Sequence, residues 1–219
     1  INRSTPILNL ANGSTADGTL IMNDDSTISF RHLRADADGN GGGVATIIQN
    51  QNSKMTANGW VELGGGNLDT STWTLNHSAQ VIASGDQGST HIGIRGNGTG
   101  ILNLNDTSYF EQGASGGEFR VGSQDDANGI VNVNDSSFLY ARNNLTLGVN
   151  NRSDGVVNQN SGTVQVNNTL YIGNDSGGVD TGEGTYNLNG GTLRTDRIEI
   201  RNGGTFEWGA ATLTMREPN

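Results

Sequence analysis

Cysteine is absent from this 219-residue chain, which excludes disulfides, thiolate metal sites and a catalytic thiol. Proline occurs only twice and lysine once, at Lys54. Aromatic residues make up 5% and hydrophobic residues 32%, so little that disorder competes with folding unless patterning supplies order. Positive charge is scarce: 12 Lys and Arg stand against 22 Asp and Glu, a formal net charge of −10. Such a chain repels nucleic acid and anionic membrane, so no polyanion partner is expected. No apolar run approaches the roughly 18 residues of a membrane helix, so membrane insertion is not expected either. The chain opens at Ile1 without methionine or a basic-then-apolar leader. It reads as a mature or trimmed product, secreted or displayed at the cell surface, with any signal peptide and anchor outside these residues.

What the chain does have is glycine (34 residues) and asparagine at alternate positions, as in "GVVNQNSGTVQVNNTLYIGNDSG" at 155–177. Asparagine is poor in helix interiors and depleted in ordinary strands, because its side chain competes for backbone hydrogen bonds. The order comes from repetition. Apolar residues two apart and followed at once by glycine recur: Val61 and Leu63, Phe119 and Val121, Leu145 and Leu147, Leu170 and Ile172. Thr90 and Ile92 fit with one weaker member, and Ile198 and Ile200 fit with Arg201 in place of glycine. The second members, Leu63, Ile92, Val121, Leu147, Ile172 and Ile200, are the expected core column; their intervals are 29, 29, 26, 25 and 28 residues.

A second column keeps the same beat. "GILNLND" (100), "GIVNVND" (129), "GVVNQNS" (155) and "GTYNLNG" (184) superimpose without gaps. They align Asn103, Asn132, Asn158 and Asn187 in one row, and Asn105, Asn134, Asn160 and Asn189 in another. Five residues beyond the residue between each pair come Tyr109, Phe138, Val164 and Leu193, and "TWTLNHS" at 72 is a plausible earlier copy. Short period-2 strands between Gly, Asn, Asp and Ser corners, recurring every 25–29 residues, predict an all-β, single-domain parallel β-helix (β-solenoid) of about 8 coils. The handedness rule for parallel crossovers favours a right-handed coil. Residues 1–45 read as divergent N-terminal coils, 46–204 as regular repeats and 205–219 as a C-terminal strand and edge. Neighbouring coils lie about 4.8 Å apart, so stacked asparagines can hydrogen-bond amide to amide as a ladder. Glycine is expected to supply the positive φ angles at the corners.

"GTYNLNGGTLRTDRIEI" (184–200), "GVVNQNSGTVQVNNTLYIG" (155–173) and "NGWVELGGG" (58–66) resemble the Gly/Asn-rich β-strand repeats of bacterial surface proteins, the autotransporter-passenger-associated type among them. The resemblance covers residues 44–215. It implies a right-handed parallel β-helix on the cell surface, used as a stalk or adhesive module.

Chemistry is sparse. His32, His77 and His91 lie apart and none sits between glycines; "QDD" at 124–126 reads as a solvated turn. No nucleophile elbow, phosphate loop or two-histidine metal motif occurs, and no enzymatic activity is expected. "DADGNG" (36–41) matches the first half of a calcium loop, making Asp36, Asp38 and Asn40 candidate ligands for a calcium ion, although Ile47 stands where the bidentate glutamate belongs. "DSGGVDTGEG" (175–184) is a weaker candidate. The outward column, Glu62, His91, Arg120, Thr146, Tyr171 and Glu199, lacks both a threonine array and a row of aromatics. Trp60, Trp73 and Trp208 read as packing residues.

The segments "TPILNL" (5–10) and "TFEWGAATLTM" (205–215) are strand-like, with Glu207 their only charge. Uncapped strand edges template pairing with another chain, which makes a second copy the expected partner, joined head to tail or by strand exchange. The function expected is an extracellular structural protein: a spacer, adhesive module or self-assembling filament subunit. The alternative is a carbohydrate-binding or carbohydrate-processing β-helix with surface glycans as partners, its mark being an aromatic or carboxylate cluster on adjacent coils.

Overall fold

The computed structural model of the chain describes residues 6–11, 16–35, 43–66, 70–84, 88–113, 116–150, 152–174 and 182–216. Every regular element among them is a β-strand, and every pairing between named strands is parallel. The strands build three faces of a solenoid, met in turn on each coil. The first face runs Ile7–Leu10, His32–Ala35, Val61–Leu63, Thr90–Ile92, Phe119–Val121, Leu145–Leu147, then the last parts of Thr163–Ile172 and Thr192–Ile200. The second runs Gly18–Met22, Ala45–Gln49, Thr70–Leu75, Thr99–Leu104, Asn128–Val133, Asp154–Gln159, Glu183–Leu188 and Gly204–Trp208. The third begins with Thr27–Phe30, Lys54–Ala57, Gln80–Ala83, Tyr109–Gln112 and Phe138–Ala141. It continues through the first parts of Thr163–Ile172 and Thr192–Ile200 to Thr212–Met215. The second face is eight described strands deep, so six rungs are covered on both sides and the one at each end has no described strand beyond it.

Alternation decides what is inside. On strand Thr99–Leu104, Leu102 and Leu104 are fully buried while Ile101 and Asn103 are half-buried on the outside. The expected core column is in register along the first face, from Leu63 through Ile92, Val121 and Leu147 to Ile172, and all five side chains are fully buried. Ile200 pairs with Ile172 in the same column but is 55% exposed, because it is on the last rung of this face and no described strand lies beyond it. Trp73, Phe110 and Phe119 meet edge to face in the interior, with ring centroids 5.6 Å apart in each pair. This geometry suits aromatic quadrupoles.

Two buried glutamines serve buried aromatics one rung on. Gln49 Oε1 accepts from the Trp73 indole N–H at 3.0 Å, and Gln159 Oε1 accepts from the Tyr186 hydroxyl at 2.7 Å. Both glutamines lie in one inward row that is otherwise apolar, Met22, Leu75, Leu104, Val133 and Leu188 among its members, and each is accounted for by the aromatic it accepts from.

The asparagine ladders run along the outside. In one row Asn132, Asn158 and Asn187 each donate Nδ2–H to Oδ1 of the asparagine one rung earlier, at 2.8–2.9 Å, and Asn103 continues to Thr74 Oγ1 at 3.4 Å. The other row, at the corner between the second and third faces, extends further than the repeats suggested. It links Asn23, Asn50, Asn76, Asn105, Asn134, Asn160 and Asn189 by six amide–amide bonds of 2.8–3.1 Å. Residues 18–35 therefore obey the regular repeat, although their sequence hides it.

The two corner types use different residues. After the first face, Gly64, Gly93, Gly122, Gly148 and Gly173 have φ between +64° and +86°. At Gly122 an added Cβ would overlap the carbonyl of Asp154, so glycine is needed for space as well as conformation. After the second face the left-handed residue is not glycine: it is Asp24, Gln51, His77, Asp106 and Asp135, with φ of 52–57°. Asp and His tolerate this region better than most residues. Several of these side chains also cap a neighbouring turn. Gln51 Oε1 accepts from Asp24 N–H, Asp106 Oδ2 from His77 N–H, and Asp135 Oδ2 from Asp106 N–H, at 2.8–3.0 Å.

At Asn160 and Asn189 this same corner is one residue shorter, and Gly162 and Gly191 carry the positive φ. That shift corrects one expected alignment. Phe138 pairs with Thr163 and not with Val164, so Tyr109 and Phe138 face outward whereas Val164 and Leu193 are fully buried. A one-residue slip moves a side chain to the other side of a strand.

Candidate functional site on the first face

Cavities with described linings lie against the outer surface of the first face. Two outward positions per strand form it. One row includes His32, Trp60, Ser89, Glu118, Asn144 and Thr169; the other is the predicted column from Glu62 to Glu199, preceded by Arg34.

At the Trp60 end, a 290 Å³ cavity is lined by Arg34, Trp60, Glu62, Ser89, His91 and Arg95. The Trp60 ring leans on His32, centroids 4.1 Å apart, while the backbone N–H of Trp60 donates to His32 Nδ1 at 3.0 Å. On the following rung its neighbour is Ser89, too small to cover the rest of the ring, and Trp60 is 42% exposed. Glu62 is buried between Arg34 (3.4 Å) and Arg95 (3.7 Å), which supply the opposite charge that a buried carboxylate needs. Arg95 Nε itself has no hydrogen-bond partner among the described residues.

His91 Nδ1 lies 2.9 Å from Ser123 Oγ. Burial pushes the imidazole pKa down to about 4, helped by the charges of Arg120 and Arg95, so the ring is neutral at pH 7. The serine–histidine pair is not a nucleophile poised for substrate, because Ser123 is fully buried.

Two cavities flank Tyr171 at the other end, of 330 and 460 Å³, and both are lined by Asn144 and Tyr171. The Arg201 guanidinium lies 3.9 Å from the Tyr171 ring centroid and 3.2 Å from Glu199. Asn144 is fixed from both sides: its Nδ2 donates to Glu118 Oε1 at 3.3 Å and its Oδ1 accepts from the Thr169 backbone at 3.2 Å. Between the two ends Arg120 pairs with Glu118 at 2.9 Å.

A cluster of aromatics on adjacent coils does exist, on the third face, where the outward column of the first face did not reveal it. Tyr109 and Phe138 stack at 5.6 Å, and Tyr140 meets Phe138 edge-on at 6.2 Å. Their polar tips are occupied: the Tyr109 hydroxyl donates to Glu111 Oε2 at 2.6 Å, Arg142 holds the other oxygen of Glu111, and Asn167 donates to the Tyr140 hydroxyl at 2.7 Å.

The predicted residues divide as follows. The asparagines form continuous structural rows, not a pocket. Of the tryptophans only Trp73 packs in the core; Trp60 and Trp208 are exposed. Asp126 is held bidentately by Arg152 at 2.7 and 2.8 Å, so the "QDD" turn is fixed by an ion pair. The candidate calcium ligands Asp36, Asp38 and Asn40 lie outside the described residues, as does most of 175–184. No group of three or more His, Asp or Glu placed to hold a metal occurs among the described residues. No helix among them is long and apolar enough to cross a membrane.

Comparison with protein-family models, with curated proteins and with solved structures gives no match.

Proposed function

We propose that this chain is an extracellular structural module, a stiff solenoid rod that associates with copies of itself end to end. The observation that supports this most is the state of the two terminal rungs. Ile200, Trp208 and Met215 occupy inward positions on the last rung, yet are 55%, 57% and 51% exposed. Phe206 and Leu213 beside them are only partly buried. On the first rung Leu8, Leu10, Leu20 and Ile28 point into the core and are likewise only partly covered. Both ends present the same three-sided edge, because each coil copies the one before it. Unpaired strand edges of this kind recruit further strands, and a contact between unlike ends that does not close builds a filament. As a spacer or adhesive stalk the rod gains stiffness from its side-chain ladders.

Sedimentation velocity over a hundredfold range of concentration tests this reading. The average mass is expected to rise with concentration, and Trp208→Lys, which sets a charge on the terminal face, is expected to hold the protein as a monomer. A monomer at every concentration would refute end-on association.

A further inference from the structure

The first face carries features that a rod does not need. Among the described residues, six large apolar side chains are exposed, and Trp60 alone of these lies away from the first and last rungs. Four rungs further along the same face stands Tyr171, about 19 Å away at the strand spacing. Cavities border both rings.

Several hydrogen-bonding tips on this surface are unspent. The Trp60 indole N–H, the Thr146 hydroxyl, the Asn150 side-chain amide and the Tyr171 hydroxyl make no hydrogen bond among the described residues, and Arg95 Nε is unpartnered. The aromatic cluster of the third face has its polar atoms satisfied internally, as a structural cluster does.

Charges on the first face are interleaved: Glu62 sits with Arg34 and Arg95, Glu118 with Arg120, and Glu199 with Arg201. A surface so balanced offers no attraction to a polyanion or a polycation. Aromatic rings bordered by cavities, amide and hydroxyl groups for directional bonds, and an open elongated shape together fit a polyhydroxylated, uncharged chain. We infer that the outer surface of the first face binds a linear neutral glycan laid along the solenoid axis, with Trp60 and Tyr171 as stacking platforms. The surface lies on the side of the rod, so it is independent of end-on association.

Isothermal titration of the full chain with cellohexaose, chitohexaose, laminarihexaose and, as an acidic comparison, hexagalacturonate tests this inference. At least one neutral hexamer is expected to bind, more tightly than its dimer. Trp60→Ala and Tyr171→Ala are each expected to weaken that binding at least tenfold, while Tyr140→Ala on the third face leaves it unchanged. Circular dichroism confirms the fold of each variant; should Tyr171→Ala misfold, Asn150→Ala is expected to give the same loss. The inference is overturned by three results: no binding of any neutral hexamer, binding that survives both aromatic substitutions, or binding confined to hexagalacturonate and removed by salt.

Discussion

Asn134 has a ladder bond on each side, donating to Asn105 at 3.0 Å and accepting from Asn160 at 2.9 Å. Asn189, at the end of the same row, has one, to Asn160 at 3.1 Å. A net hydrogen bond contributes about 0.5–1.5 kcal/mol. Asn134→Ala is therefore expected to destabilise the protein by about 1–3 kcal/mol, and Asn189→Ala by about half as much, measured as shifts of the urea midpoint. His91 gives a pH prediction. Its folded pKa of about 4 lies below the ordinary 6.5, so between these values the unfolded chain binds more protons. Stability is expected to be unaffected by this group above pH 6.5 and to fall as pH drops from about 6.5 to about 4. His91→Gln should flatten the slope in that window, as read from thermal melts at each pH. At this scale the sequence was legible wherever a residue type repeated. The asparagine rows and the glycines after the first face stand in the text of the repeats. Residues with one-off partners were not visible: nothing in "TIIQNQ" shows that Gln49 answers Trp73 a rung later.

The corners govern the elements. Gly122 has φ +64°, which costs an alanine roughly 1–2 kcal/mol, and the added methyl would also press on the Asp154 carbonyl. Gly113 has no positive φ, and its nearest obstacle is the Glu111 carboxylate at 3.2 Å, with no backbone atom closer than 3.5 Å. Gly122→Ala is expected to lower the melting temperature by several degrees and Gly113→Ala by far less; equal effects would contradict the corner geometry. Within the coils, Phe110→Ala should cost about 3–5 kcal/mol, because it removes the ring between Trp73 and Phe119. Strands and period were readable because the core column keeps a nearly constant interval. The register of the third face was not: the corner after Asn160 lost one residue, and only the structure shows on which side of the strand that leaves Val164. Residues 18–35 were obscured for a different reason: Ala35 takes the core-column place of Leu63, and Asp36 follows it where the later repeats have glycine.

For the molecule as a whole, the sequence foretold a parallel solenoid with strand-like ends, while the open core at the last rung and the exposed Trp60 required coordinates. A repeat structure buries each rung under its neighbours, so a rung that no described strand covers offers a surface for another rung. The ladders give each junction a specific register to continue, and the net charge of −10 opposes less ordered association. Electron microscopy of the purified chain across a range of concentrations tests this account most directly. It predicts long unbranched fibres one solenoid wide, absent from the Trp208→Lys variant. Short rods of uniform length at every concentration would contradict it.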